Sequence, residues 1–291
     1  MLTQNAAYRR WTFPGFDRQL GDRPLIMGIL NATPDSFSDG GRFLPVEAAV
    51  EQAQRLVSEG ADILDIGGES TRPNADPVPL EEELRRVVPV IERLRGAIEI
   101  PISIDTYKAE VARQALLAGA SIVNDISGLR FDAQMLDVCL RHPCGVICMH
   151  IQGTPRTMQI SPRYENVVED LCKDFAQRLE ELERAGLPRE RIVIDPGVGF
   201  GKTAQHNLEI LSNIGRFRQL GRPVLIGHSR KGFLQKILQQ KIDERLFGTI
   251  GVSIGLAQQH VDLLRVHDVA ANHDAIMAWR ATQPQGTLPT N

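Results

Sequence analysis

The chain has 291 residues, 42% of them hydrophobic, enough for one large core; an α/β barrel of about 250 residues folds as a single domain, so a second large domain is not expected. A formal net charge of -3 and a pI near 6.2 exclude gathering nucleic acid or an anionic membrane by bulk charge, so any anion must be held locally. No apolar run reaches the ~20 residues of a bilayer span, and the opening MLTQNAAYRRWTF lacks the apolar core of a signal peptide, so a cytoplasmic enzyme is expected.

Residues 1–24 precede the first strand signal and carry Trp11, Phe13 and Phe16, which are expected to cover the open bottom of a barrel. Eight short, β-branched apolar runs follow: 25–30 (LIMGIL), 62–67 (DILDIG), 101–105 (PISID), 121–125 (SIVND), 144–150 (CGVICMH), 191–195 (RIVID), 223–227 (PVLIG) and 262–267 (DLLRVH). Such near-continuous apolarity marks strands covered on both faces in a parallel sheet. Helical spacing fills the gaps. Residues 45–59 put a proline in the first turn, space Val46, Val50, Ala53 and Val57 three and four apart, and stop at Gly60. Similar patterns cover 80–95, 107–118, 132–141, 165–185, 204–220, 243–259 and 269–280.

Strand then helix, eight times, predicts a single-domain (β/α)8 TIM barrel over 25–280, with a doubly wound open sheet as the alternative. The polar tail 281–291 is expected to fray. Cys139, Cys144, Cys148 and Cys172 lack paired spacing and read as reduced packing residues rather than zinc ligands.

Barrel chemistry is drawn from the C-terminal strand ends. Here those ends carry Asn31, Asp65, Asp105, Asn124 with Asp125, His150, Asp195, His228 with Ser229 and Arg230, and Arg265 with His267. A carboxylate buried without a partner costs several kcal/mol, roughly, so acids converging on one rim predict a ligand, although a single one could simply cap a helix. Asp65 keeps the structural role most strongly, holding the loop GGESTRP that follows it.

Asp105 and Asp195, with Asn124, offer acceptors and one amide to the edge of a flat polar heterocycle. Cations sit on other loops: Arg72, Lys202, Arg230, Lys231, Arg265 and His267. Arg230 and Lys231 open a helix against its dipole, which an anionic ligand would compensate. Arg265 and His267 are two apart on a strand, so both face one side and can form a phosphate cradle. Their alternative is ion pairing with neighbouring acids. The run PGVGFGK reads as a tight turn beneath a flat ligand, not a dinucleotide fingerprint, and GHSRKG reads as a phosphate clamp rather than a nucleophile elbow.

These motifs, taken in order as GILNATPDSFSDGG, DIGGESTRP, SIDT, NDISG, MHIQGTP, DPGVGFGK, SRKGF and RVHDV, resemble the dihydropteroate synthase family from about Leu25 to Val269. The resemblance implies that 7,8-dihydropterin-6-ylmethyl diphosphate and 4-aminobenzoate are joined to dihydropteroate and diphosphate in folate biosynthesis. It implies that Asp105, Asn124, Asp195 and Lys231 hold the pterin, that Ile126 and Met149 line its slot, and that Arg265 and His267 take the diphosphate. Asn31 is placed beside a Mg2+ ion bound with that diphosphate, and Thr71 joins through the second loop. Phe37, Ser70, Pro73, Phe200 and Ser229 correspond to positions near the aminobenzoate, with Arg72 in the same loop.

The catalytic set is then Asp105, Asp195, Lys231 and Arg265, stabilising a pterin carbon that turns cationic as diphosphate leaves. The loop 31–41 is expected to fold over the charged substrate from its root at Asn31, with Asp35, Ser36 and Asp39 as its polar body and Gly40 and Gly41 for movement. Loss of Lys231 or Arg265 is expected to abolish turnover with modest effect on folding. His228 and Ala32 depart from the usual family residues, and His228 bears on the aminobenzoate mouth. Relatives commonly pair as homodimers. The rivals are a pterin-binding methyltransferase serving a corrinoid protein, which needs no diphosphate clamp, and a non-catalytic pterin-binding barrel.

Overall fold

The structure, a computed structural model, describes residues 9–32, 44–71 and 75–284. It opens with an antiparallel hairpin of β1 (Arg9–Phe13) and β2 (Phe16–Leu20). Eight parallel strands follow: β3 (Leu25–Asn31), β4 (Ile63–Gly67), β5 (Ile102–Asp105), β6 (Ile122–Asp125), β7 (Gly145–Met149), β8 (Ile192–Asp195), β9 (Leu225–Gly227) and β10 (Leu263–Val266). They are ordered β8-β7-β6-β5-β4-β3-β10-β9. A bridge from Ile194 to Val224, with the Ile194 N–H donating to Pro223 O at 3.0 Å, joins β8 to β9. That single bridge leaves the barrel nearly closed.

The helices are α1 (Leu44–Ser58), α2 (Leu80–Leu94), α3 (Ala109–Ala118), α4 (Met135–Arg141), α5 (Val167–Arg184), α6 (Ala204–Leu211), α7 (Ile214–Arg218), α8 (Gly232–Leu238), α9 (Leu246–Gln258) and α10 (Val269–Ala281). Two features differ from the sequence expectation. The stretch 204–220 is broken at Ser212 and Asn213, whose side chains bond back to Leu208 O at 2.9 Å and Glu209 O at 2.8 Å and compete with continued helix. The second concerns α8, the helix read as opening at Arg230 and Lys231, which falls in none of the periodic stretches because its seven residues are too few to show a 3.6-residue period.

One apolar layer lies between the strands and the helices. A second fills the barrel bottom, where Met27, Ile63, Ile122, Ile147, Val193, Leu225 and Leu263 each point inward from a different strand. Trp11, Phe13 and Leu20 of the hairpin complete this layer. Trp11 is fully buried, and its indole N–H donates to Arg191 O at 2.8 Å, so its polar atom is satisfied. The N-terminal extension thus covers the bottom, which leaves the C-terminal rim as the open end.

Candidate active site

The rim is organised by one guanidinium between two acids. Arg265 on β10 donates from Nε to Asp65 Oδ2 on β4 and from Nη2 to Asp105 Oδ2 on β5, both at 2.6 Å. Asn124 on β6 adds its Nδ2 to Asp65 Oδ2 at 3.1 Å. Asp65 is fully buried and serves Arg265 and Asn124 rather than the loop after it, which corrects the role expected from sequence. Among the described residues, Oδ1 of Asp65 and Oδ1 of Asp105 are buried without a hydrogen-bond partner. Two carboxylates against one guanidinium leave net negative charge in a low-dielectric wall. Burial, opposed by Arg265 and reinforced by Asp65, therefore raises Asp105 well above the ordinary carboxylate range. Asp195 at the end of β8 is likewise raised by burial, against the pull of Lys231, and its Oδ1 accepts the Gly197 N–H at 2.8 Å.

That last bond belongs to the PGVGFGK turn. Gly197 has φ +69°, and a Cβ there would lie 2.0 Å from His150 O, so only glycine fits. The turn brings Phe200 under Lys231, whose Nζ stands 4.5 Å from the ring centroid and also donates to Val198 O. Burial lowers the Lys231 ammonium to about 8. Lys202 is buried, donating to Phe200 O at 2.8 Å and His150 O at 3.3 Å, and desolvation lowers it to about 7.

Of the paired cations after β9, Arg230 bonds Asp268 with Nε at 2.9 Å and Nη2 at 2.5 Å. Its φ of +58° is held by the Thr249 hydroxyl on its N–H and by Arg245 on its carbonyl. Lys231 then takes the N-cap position of α8, with no capping bond from its side chain. Ser229 Oγ lies 3.2 Å from the His267 N–H and 3.1 Å from its Nδ1, tying the ends of β9 and β10 together. His228 is fully buried behind this loop, with Nε2 at 2.8 Å from Ser253 Oγ and 3.2 Å from Thr249 O on α9. It packs into the helix layer and is not among the residues lining the cavity, contrary to the role expected at the aminobenzoate mouth.

A cavity of about 1440 Å³ opens over this rim. Asn31, Ser70, Thr71, Asp105, Phe200, Ser229, Lys231, Arg265 and His267 all line it, so most sequence-derived candidates converge. Asn124, Ile126, Met149 and Asp195, at or just past the ends of β6, β7 and β8, are each at most 5% exposed and are not among the residues lining it. Phe37, Arg72 and Pro73, with the body of the first loop, lie outside the described residues. Asn31 offers a single amide at the rim, and no group of three or more metal-ligating acids, histidines or cysteines occurs among the described residues.

Sequence reasoning missed Glu69, Glu83 and Lys108, which form an ion cluster beside the second loop. The available signal was Glu83, an acid on the same helical stripe as the buried Val87, Val90, Ile91 and Leu94.

The family model for pterin binding enzymes matches residues 27–267. A dihydropteroate synthase from Haemophilus influenzae is 46% identical over 259 residues, spanning 89% of this chain and 94% of that protein. The solved dihydropteroate synthase of Xanthomonas albilineans with 4-aminobenzoic acid superposes with a TM-score of 0.88 at 45% identity, covering 95% of this chain and 99% of that one. The same enzyme in complex with 7,8-dihydropteroate gives 0.84 at 43% identity, covering 94% and 99%. With one family model spanning the barrel and relatives matched along nearly their whole length, the chain belongs to the dihydropteroate synthase family of pterin-binding enzymes.

Proposed function

We propose that the chain condenses 7,8-dihydropterin-6-ylmethyl diphosphate with 4-aminobenzoate to give 7,8-dihydropteroate and diphosphate, a transferase step of folate biosynthesis. The carrying observation is that Asp105, with one buried oxygen left unpartnered and the other bonded to Arg265, lines one cavity together with Arg265, Lys231 and His267. Acceptors for a ring and cations for phosphates thus meet in one space.

Asp105, Asn124 and Asp195 hold the pterin edge, with Lys231 beside Asp195 and with Ile126 and Met149 walling the slot. Arg265 and His267 take the diphosphate. Among the described residues Asn31 offers one neutral oxygen at the rim and would help hold a Mg2+ ion arriving with the diphosphate. Such an ion would supply positive charge to the leaving diphosphate. The carbon–oxygen bond breaks with its electron pair on the diphosphate, and Asp105 and Asp195, in their ionised forms, offset the cationic character left on the pterin methylene. The aminobenzoate nitrogen forms the new bond and releases a proton. Ser70, Phe200 and Ser229, lining the cavity above the pterin, position the arylamine, together with Thr71 and the family positions Phe37, Arg72 and Pro73.

A second copy of the chain is the expected partner. Ile237 and Leu238 at the end of α8 and Phe247 at the start of α9 are 53%, 39% and 81% exposed, apolar surface suited to a homodimer. No described helix is long and apolar enough to cross a membrane, and the four cysteines are free, in keeping with a cytoplasmic enzyme. The deciding experiment is diphosphate release from the pterin diphosphate with Mg2+. Release that depends on 4-aminobenzoate supports the reading. Methyl transfer to a corrinoid protein, with no diphosphate released, overturns it.

A further inference from the structure

The second rim loop begins at Glu69, and Ser70 and Thr71 follow it into the cavity wall. Glu69 Oε2 accepts the Val78 N–H at 3.0 Å, so one carboxylate links two positions nine residues apart. Lys108, at the N-cap of α3, grips the same two positions. Its Nζ donates to Glu69 Oε2 and to Val78 O, each at 2.6 Å. Its remaining proton goes to Glu83 Oε2 on α2 at 2.5 Å, so all three ammonium donors are used. Glu83 is 1% exposed and takes the Thr106 hydroxyl at 2.8 Å on its other oxygen, while the Tyr107 hydroxyl donates to Glu69 Oε1. Beneath this cluster a Cβ on Gly68 would meet Val87 Cγ1 at 2.8 Å and Glu83 Cγ at 3.0 Å, so the loop root is pressed directly onto α2.

Lys108 itself does not line the cavity. It reaches the site only through Glu69, whose side chain is 7% exposed. We infer that Lys108 is a positioning residue for the arylamine half of the site: with Glu83 as its anchor it staples the two ends of the second loop, presetting Ser70 and Thr71 before the second substrate arrives. Ordering Ser70 and Thr71 only on binding would subtract their conformational entropy from arylamine affinity, whereas a stapled root carries that cost in the folded protein. Asn124, Asp195, Lys231, Arg265 and His267 stand on other strand ends, whereas Asp105 precedes Lys108 on the same segment and feels the charge of Glu83, which the single variant leaves in place. This inference rests on the proposed reaction and its placement of Ser70 and Thr71.

The test is steady-state kinetics of Lys108→Met with both substrates varied, and calorimetric binding of 7,8-dihydropterin-6-ylmethyl diphosphate to the same protein. Because removing Lys108 alone strands Glu83 in the core, the double variant Lys108→Met/Glu83→Met, which removes both charges, is measured beside it. The expected result in each is a KM for 4-aminobenzoate raised by about tenfold, about 1.4 kcal/mol, with pterin diphosphate affinity kept within about twofold. An unchanged aminobenzoate KM in both variants overturns the inference, as does an equal loss for both substrates. Absence of arylamine-dependent diphosphate release in the unaltered protein is a separate result, and it counts against the proposed reaction instead.

Discussion

Replacing Arg265 by glutamine tests the electrostatic centre of the rim. Arg265 makes hydrogen bonds of 2.6 Å to Asp65 and to Asp105; its own side chain is 20% exposed and those of the acids 0% and 10%. Hydrogen bonds to ionised groups are worth about 1.5–3 kcal/mol each, hence about 3–6 kcal/mol for two, and recovering the hydration of the guanidinium trims this to about 3–5 kcal/mol. The loss falls on folding as well as on turnover, because glutamine leaves two buried carboxylates with no cation. The sequence alone suggested a modest folding effect, and the ion triad overturns that. Without the guanidinium that opposes it, the burial that raises Asp105 carries its folded-state pKa further above the unfolded value of about 3.9. A raised carboxylate favours the fold in its protonated form, so its contribution is present at low pH and lost as pH rises through the folded pKa. Urea denaturation should therefore show a stability gap of about 3–5 kcal/mol near pH 8 that narrows toward pH 5. A gap below about 1 kcal/mol near pH 8, or one equal at both pH values, refutes the reasoning.

Lys231 carries its charge below about 8 and loses it above, so kcat/KM for the pterin diphosphate should fall as pH rises through that value. Lys231→Arg should move this limb upward while lowering the maximum, and an unmoved limb rules Lys231 out as its source. Gly197→Ala meets His150 O at 2.0 Å in a left-handed backbone and should cost about 2–4 kcal/mol, read as a fall in Tm; an unchanged Tm contradicts the close approach. Trp11→Ala empties the fully buried bottom layer and should cost about 3–5 kcal/mol in urea denaturation with kcat nearly unchanged, since hairpin and rim sit at opposite ends. A chelator should stop turnover yet leave Tm in place, because no acid cluster among the described residues holds an ion; a large drop in Tm would reveal a structural metal.

The barrel was readable because its signals are local. Apolar runs such as LIMGIL and PISID fall on β3 and β5, and the gaps between runs carry helical spacing, so element type and order follow without knowledge of contacts. Local competition also explains the misses: Ser212 and Asn213 break a helix through side-chain bonds that apolar periodicity does not register. The candidate acids and cations could be named because they stand at strand ends, and the family motifs supplied the chemistry expected of them. Glu69, Glu83 and Lys108 escaped because each resembles a solvated charge until the folded chain brings the three together.

What the sequence by itself determined is therefore the inventory of the rim, since a strand's end and a side chain's facing are set by neighbours a few residues away. Which acid meets which base was decided only by the tertiary structure. Arg265 and Asp65 are 200 residues apart, and only the closed order of strands, with β10 beside β3 and β3 beside β4, brings them within a hydrogen bond. Only that closure turns Asp65 from a loop brace into the partner that sets the charge of the site.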